Sequence, residues 1–145
     1  MASAVAVNHL QSVTKTTCRS AIPGDTNSHY AAWVDMQAFT HLLALITYIV
    51  RVGHLTQFAL YTSAASDGSG AVKIRDYAGT VTAADAVDDT LVLECSAEEL
   101  QALGSGLRYV SVAYTASDAG DKLAVAYVQS AKDAKDGLTA DVLSD

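Results

Sequence analysis

Val34–Ala71 reads VDMQAFTHLLALITYIVRVGHLTQFALYTSAASDGSGA. Two apolar runs, 40–52 and 55–63, are separated by the pair Gly53-His54, and the Ser66-Asp67-Gly68-Ser69-Gly70 stretch closes the second. Glycine supplies positive φ in such a turn and Asp caps it. The pattern predicts a long β-hairpin with His54 at its turn. An amphipathic helix competes for 40–52, because Leu42, Leu45, Ile46 and Ile49 also fit helical spacing. Strand is favoured by the run Ile46, Thr47, Tyr48, Ile49, Val50 and Val52. β-Branched and aromatic side chains suit a pleated sheet. The run also ends in Gly53 rather than in a polar last turn.

Outward from this stretch, the chain continues as short alternating runs. Tyr30–Met36 predicts a short strand, as do Ala71–Tyr77 and Thr90–Cys95. Ser96-Ala97-Glu98-Glu99 is a capping box, in which Ser and Glu satisfy each other's orphan amides. A short helix through Leu103 follows, with Gly104 as its stop. Leu107–Thr115 and Leu123–Gln129 flank a Gly-containing turn and predict a second hairpin. The expected fold is an all-β, antiparallel β-sandwich with one short helix. An extended N-terminal arm (1–29) precedes the sandwich (30–129), and a polar tail (130–145) follows it. The arm holds Pro23-Gly24-Asp25 and shows weak periodicity. Such a segment is either disordered or ordered against a neighbour.

Composition bounds the function. With 145 residues the chain is one domain, large enough to fold without a metal or disulfide staple. Charged residues make up 17% and hydrophobic ones 50%, a greasy balance that points to apolar surface covered by other chains. The net charge of −7 and the scattered basic residues argue against nucleic acid and against polybasic membrane recruitment. The run Leu42–Val50 is too short to span a bilayer. The N-terminus lacks a basic residue ahead of an apolar core and does not read as a signal peptide. A soluble product made in a cytoplasm is expected. Cys18 and Cys95 read as reduced thiols, with Cys95 in a strand core.

Motifs for chemistry are absent from this reading. His9, His29, His41 and His54 have no metal-ligand spacing, and no cofactor or metal is expected. Asp67-Gly68-Ser69-Gly70 lacks the carboxylates of a calcium loop, and Asp85, Asp88 and Asp89 read as solvated loop charges. No nucleophile elbow, phosphate loop or Cys-His arrangement appears, so the chain is not expected to be an enzyme. Trp33 and Tyr48, Tyr61, Tyr77, Tyr109, Tyr114 and Tyr127 read either as core packing or as a glycan platform.

The order of the pieces resembles a known family. Val34-Asp35-Met36, then Ala38-Phe39, a long apolar strand, Gly53, a Ser63–Gly70 turn and a late Leu107-Arg108-Tyr109-Val110-Ser111-Val112 strand are similar to the small β-sandwich virion proteins of tailed bacteriophages. The cement or decoration proteins of the capsid exterior are the nearest kind. That resemblance implies a jelly-roll-like sandwich, commonly a trimer, bound to the major capsid protein at symmetry axes against internal DNA pressure. It places assembly contacts at Asn8, His9 and Leu10 in the arm and at Tyr30 and Trp33. A head–tail connector or tail position and a glycan-binding module are the alternatives.

Overall fold

A computed structural model of the chain describes residues 14–23, 29–77 and 89–131, the first stretch through its backbone alone. The described residues form nine strands and one helix: β1 Thr14–Pro23, β2 His29–Tyr30, β3 Val34–Asp35, β4 His41–Val50, β5 Leu55–Ser63, β6 Val72–Asp76, β7 Thr90–Ser96, α1 Ala97–Leu103, β8 Tyr109–Ala116 and β9 Lys122–Ser130. Within the 40–52 run His41–Val50 is a strand, in keeping with its β-branched residues. The capping box forms as read. Glu99 N–H donates to Ser96 Oγ at 3.3 Å, and Ser96 N–H donates to Glu99 Oε2 at 2.9 Å.

Two antiparallel sheets face each other. Sheet A has the order β1-β9-β4-β7 and sheet B the order β2-β8-β5-β6, with β3 also on β8. The pairs β1–β9, β2/β3–β8, β4–β7 and β5–β6 nest inside one another around the loop after Ser63. The whole described chain is thus one long antiparallel ribbon rolled until β4 also meets β9 and β5 also meets β8. That is the jelly-roll arrangement, an all-β sandwich with one short helix.

The topology departs from the expected strand arrangement in several places. Neither β4 with β5 nor β8 with β9 is a hairpin, because each pair is split between the two sheets. Alternation identifies the face that meets the core, and it is the same whether the next strand is hydrogen-bonded or stacked opposite. The hairpin that does form joins neighbours β5 and β6. Thr14–Pro23 is not an arm set against a neighbour but the edge strand of sheet A on β9. Its Thr-rich sequence carries little apolar alternation, yet its backbone still completes a ladder. The Tyr30–Met36 strand is broken in two, since 31–33 leave the ladder between β2 and β3.

The core lies between the sheets. Leu42, Ala44, Ile46 and Tyr48 of β4, Phe58 and Leu60 of β5, Val110 and Val112 of β8, and Leu123, Val125 and Tyr127 of β9 form one buried cluster. Each such large side chain contributes roughly 1.5–3 kcal/mol by leaving water. Tyr127 spans the sheets, its hydroxyl accepting Val112 N–H at 3.0 Å where the β2–β3 break leaves the ladder incomplete.

The two crossings lie side by side. Register shifts at Tyr48/Val50 and Leu55/Gln57 flank the 51–54 arch, and such bulges turn strands out of a sheet. Asp121, fully buried in the neighbouring arch, accepts Val52 N–H at 2.6 Å and Gly53 N–H at 2.9 Å through Oδ1. His54 N–H donates to Ser117 Oγ at 2.9 Å, and Ser117 N–H donates to His54 O at 2.8 Å. A Cβ at residue 53 would overlap Ser117 Oγ, so glycine is needed there for close approach.

Asp121→Ala strands two amide donors and is expected to cost about 2–3 kcal/mol of stability. Asp121→Asn keeps an acceptor and is expected to lose less, with both read from urea unfolding midpoints. Alkali is the second stress. Burial pushes the Cys95 thiol from 9.0 up to about 12. Burial, helped by the Asp121 charge, pushes the Tyr48 phenol from 10.0 up to about 12. The unfolded chain loses these protons first, so the stability is intact below the unfolded values and falls as pH rises from there towards about 12. Unfolding midpoints measured across that window should fall steadily, and less steeply in Tyr48→Phe.

Candidate assembly surfaces

The two outer faces of the sandwich are built differently. On sheet B four outward positions of the central strands are small: Ala59 and Ser63 on β5, Ser111 and Ala113 on β8. All four are nonetheless buried, which an outer face of an antiparallel sheet does not normally achieve. Aromatic side chains roof them. The 31–33 break sends Trp33 to this side, with its ring centroid 5.1 Å from Tyr30 and tilted by 45°. Tyr30 meets Tyr61 edge-on at 5.4 Å, and Lys73 Nζ sits 5.8 Å from the Tyr61 ring centre. Edge-on and tilted contacts suit the ring quadrupoles.

The loop after β5 closes over the same aromatics. Ser63 Oγ donates to Ser69 O at 2.7 Å and accepts Ala65 N–H at 3.0 Å. Asp67 Oδ1 accepts Ser69 N–H at 2.9 Å and Ser69 Oγ–H at 2.7 Å. These bonds hold Gly68 at φ +81° directly against the Trp33 indole, where a Cβ would collide with the ring. Arg108 pairs with Asp35 through Nε at 3.0 Å and through a second guanidinium nitrogen, which fixes β3 to the start of β8.

Of the assembly contacts expected from the sequence, Tyr30 and Trp33 are brought together, and Tyr30 is 45% exposed. Asn8, His9 and Leu10 lie outside the described residues. Of the two readings of the aromatics, core packing holds for Tyr48, Tyr114 and Tyr127, and Tyr77 packs against the core, whereas Tyr30, Trp33 and Tyr61 form a surface group. Gly68 was not legible as a member of this cluster, because only the fold brings it to Trp33.

Sheet A turns a different face outward. Leu43 and Leu45 on β4, Val92 on β7, and Ala126 and Val128 on β9 are adjacent in register. None is buried, and Val92 is 42% exposed. Thr47 and Thr90 join across strands through their hydroxyls at 2.7 Å. Glu94 is the acid next to Leu43 on this surface. Outer faces of antiparallel sheets are ordinarily polar. This is the apolar surplus seen in the composition, gathered onto one surface.

Polar clusters are accounted for by structure. An open cleft of ≈ 510 Å³ is lined by His41, Arg75, Glu94, Ser96, Glu99 and Ser130 among others. Its Arg75 is paired with Glu99, which also serves the helix cap. His54 Nδ1 lies 3.3 Å from Ser117 Oγ, but that oxygen already accepts the His54 amide, so the pair locks an arch. Among the described residues no group of three or more His, Cys, Asp or Glu is placed to hold a metal, and no helix is long and apolar enough to cross a membrane. Cys95 is a buried free thiol. Cys18 lies on the opposite edge strand. Three inter-strand spacings put their backbones about 14 Å apart, beyond the reach of a disulfide.

No family model and no curated protein matches the chain. Solved structures share its outline. A subunit of the disulfide-linked pili that form Bacillus endospore appendages aligns over 83% of this chain and 88% of its own, with 8% identity and a TM-score of 0.49. The SPBc2 prophage-derived protein YomS aligns over 81% and 96%, with 14% identity and a TM-score of 0.41. The Yersinia pseudotuberculosis-derived mitogen aligns over 85% and 90%, with 12% identity and a TM-score of 0.43. All three TM-scores lie below one half, and none of these likenesses bears on function.

Gly68→Ala must move the loop off the indole and accept a strained φ, at an expected cost of about 1–2 kcal/mol. Trp33 is the one tryptophan in the sequence, so tryptophan fluorescence reports on the surroundings of this ring. A red-shifted emission in the folded variant is the expected outcome, and an unchanged spectrum would show that the loop does not cover the ring.

Proposed function

We propose that this chain is a structural virion protein of a tailed bacteriophage, a cement or decoration protein that binds the capsid exterior as a homo-oligomer. The observation that carries the assembly part is the apolar outer face of sheet A, on which Leu43, Leu45, Val92, Ala126 and Val128 stand together in register. An apolar sheet face of this kind suits packing against protein. The capsid part is supported by the sequence resemblance. A net charge of −7 suits the outside of a shell better than contact with packaged DNA. The major capsid protein is the partner in this reading.

Purified tailed-phage capsids incubated with the chain should retain it in many copies per particle and should melt at a higher temperature than bare capsids. Absence of binding and of any thermal shift would reject the decoration role. Binding in only a few copies at a vertex would move the protein to the head–tail region. A second reading, a glycan-binding module, is favoured by the exposed ring of Tyr30 beside Trp33 and Tyr61. Glycan-array hits that disappear in Tyr30→Ala would favour it over the first.

A further inference from the structure

Sheet edges are the places where a β-sandwich must defend itself against unintended pairing. Three of the four edges here carry recognisable protection. β1 has a register shift between Arg19 and Ile22 and ends in Pro23. β2 and β3 are two residues each. β6 is short, its pairing with β5 is bulged, and it carries Lys73, Arg75 and Asp76. The fourth edge, β7, has none of these. It runs seven residues, TLVLECS, in unbroken register with β4 and holds a single charge, Glu94.

The backbone of β7 is disposed for a further partner. Ala97 N–H donates to Thr40 O, and the register continues from His41↔Ser96 to Thr47↔Thr90. Antiparallel ladders alternate, so Leu91, Leu93 and Cys95 bond towards β4. Val92 and Glu94 therefore turn their N–H and C=O groups to the open side. Ser96 N–H is taken by Glu99 Oε2, and α1 begins there, so an added ladder ends at Glu94.

We propose that β7 pairs with β7 of a second copy, antiparallel about a two-fold axis at Val92, fusing two four-stranded sheets into one. The sequence is complementary to itself in that register. Val92 meets Val92 of the partner subunit, and Leu91 meets Leu93 of the partner subunit on the core side. Glu94 meets Thr90 of the partner subunit, so the lone acid never faces its own copy. An axis at Glu94 would oppose two carboxylates, which is destabilising. The pairing also extends the apolar outer face, since Val92 is next to Leu45. This interface does not depend on the capsid reading, and a dimer that ignores capsids leaves it standing.

Light scattering of the full chain over a concentration series tests it. The expected mass is twice the 15.1 kDa of the chain. Val92→Pro removes an amide that no described residue accepts, a change that edge positions tolerate. Val92→Lys places two like charges on the axis. Both variants should halve the mass while the far-UV spectrum is unchanged. Amide exchange at Val92 and Glu94 should slow as wild-type concentration rises, a readout that survives should a variant fail to fold. A monomer at every concentration, a trimer, an open-ended series, folded variants of wild-type mass, or concentration-independent exchange would each overturn the proposal.

Discussion

The buried carboxylate of Asp121 is the constraint on which this sandwich turns. Two chain crossings, one after β4 and one after β8, must lie against each other for the sheets to stack. Asp121 holds them by taking two amides of the first crossing from within the second. Gly53 permits the approach, and the Ser117–His54 pair of bonds closes the other side. A buried charge is tolerated only when it is well solvated by donors. Here the solvation is incomplete: Asp121 Oδ2 and Tyr48 Oη have no hydrogen-bond partner among the described residues. The site trades some polar satisfaction for a fixed crossing geometry.

Much of the architecture was legible in residue pattern. β4, β5, β7, α1, β8 and β9 stand where alternation and capping placed them, because those signals are local. Strand partners were not legible. Alternation in 40–52 and 55–63 marks an inward face for each strand and is silent on whether the two share a sheet. The β5–β6 hairpin is the exception, since its Gly/Ser/Asp loop is itself a local turn signal. β1 was missed because an edge strand of Thr and Ser can be held by its ladder without an apolar stripe.

The surfaces were legible in part for the same reason. Tyr30 and Trp33 are close in sequence, on either side of the start of the β2–β3 break, and they do meet. Tyr61 and Gly68 reach them only through the rolled ribbon. Charge and hydropathy foretold an apolar surplus but not its location. Sheet B has covered its own outer face with aromatics and a loop, whereas sheet A has gathered Leu, Val and Ala outward. One face of the sandwich is finished by the chain itself, and the other is suited to contact with protein.

The rolled ribbon also sets an order of events for synthesis. β9 lies between β1 and β4, so the centre of sheet A is supplied by the last described strand to leave the ribosome. Until it arrives, β1 has no partner, and β4 keeps one side of its ladder open. Contacts so distant along the chain close late and slowly. The nascent chain therefore carries exposed strand edges, a species prone to mispairing, through most of its elongation. The β5–β6 hairpin is the one antiparallel pair of sequence neighbours able to form early, and from it the ribbon can zip outward towards both ends.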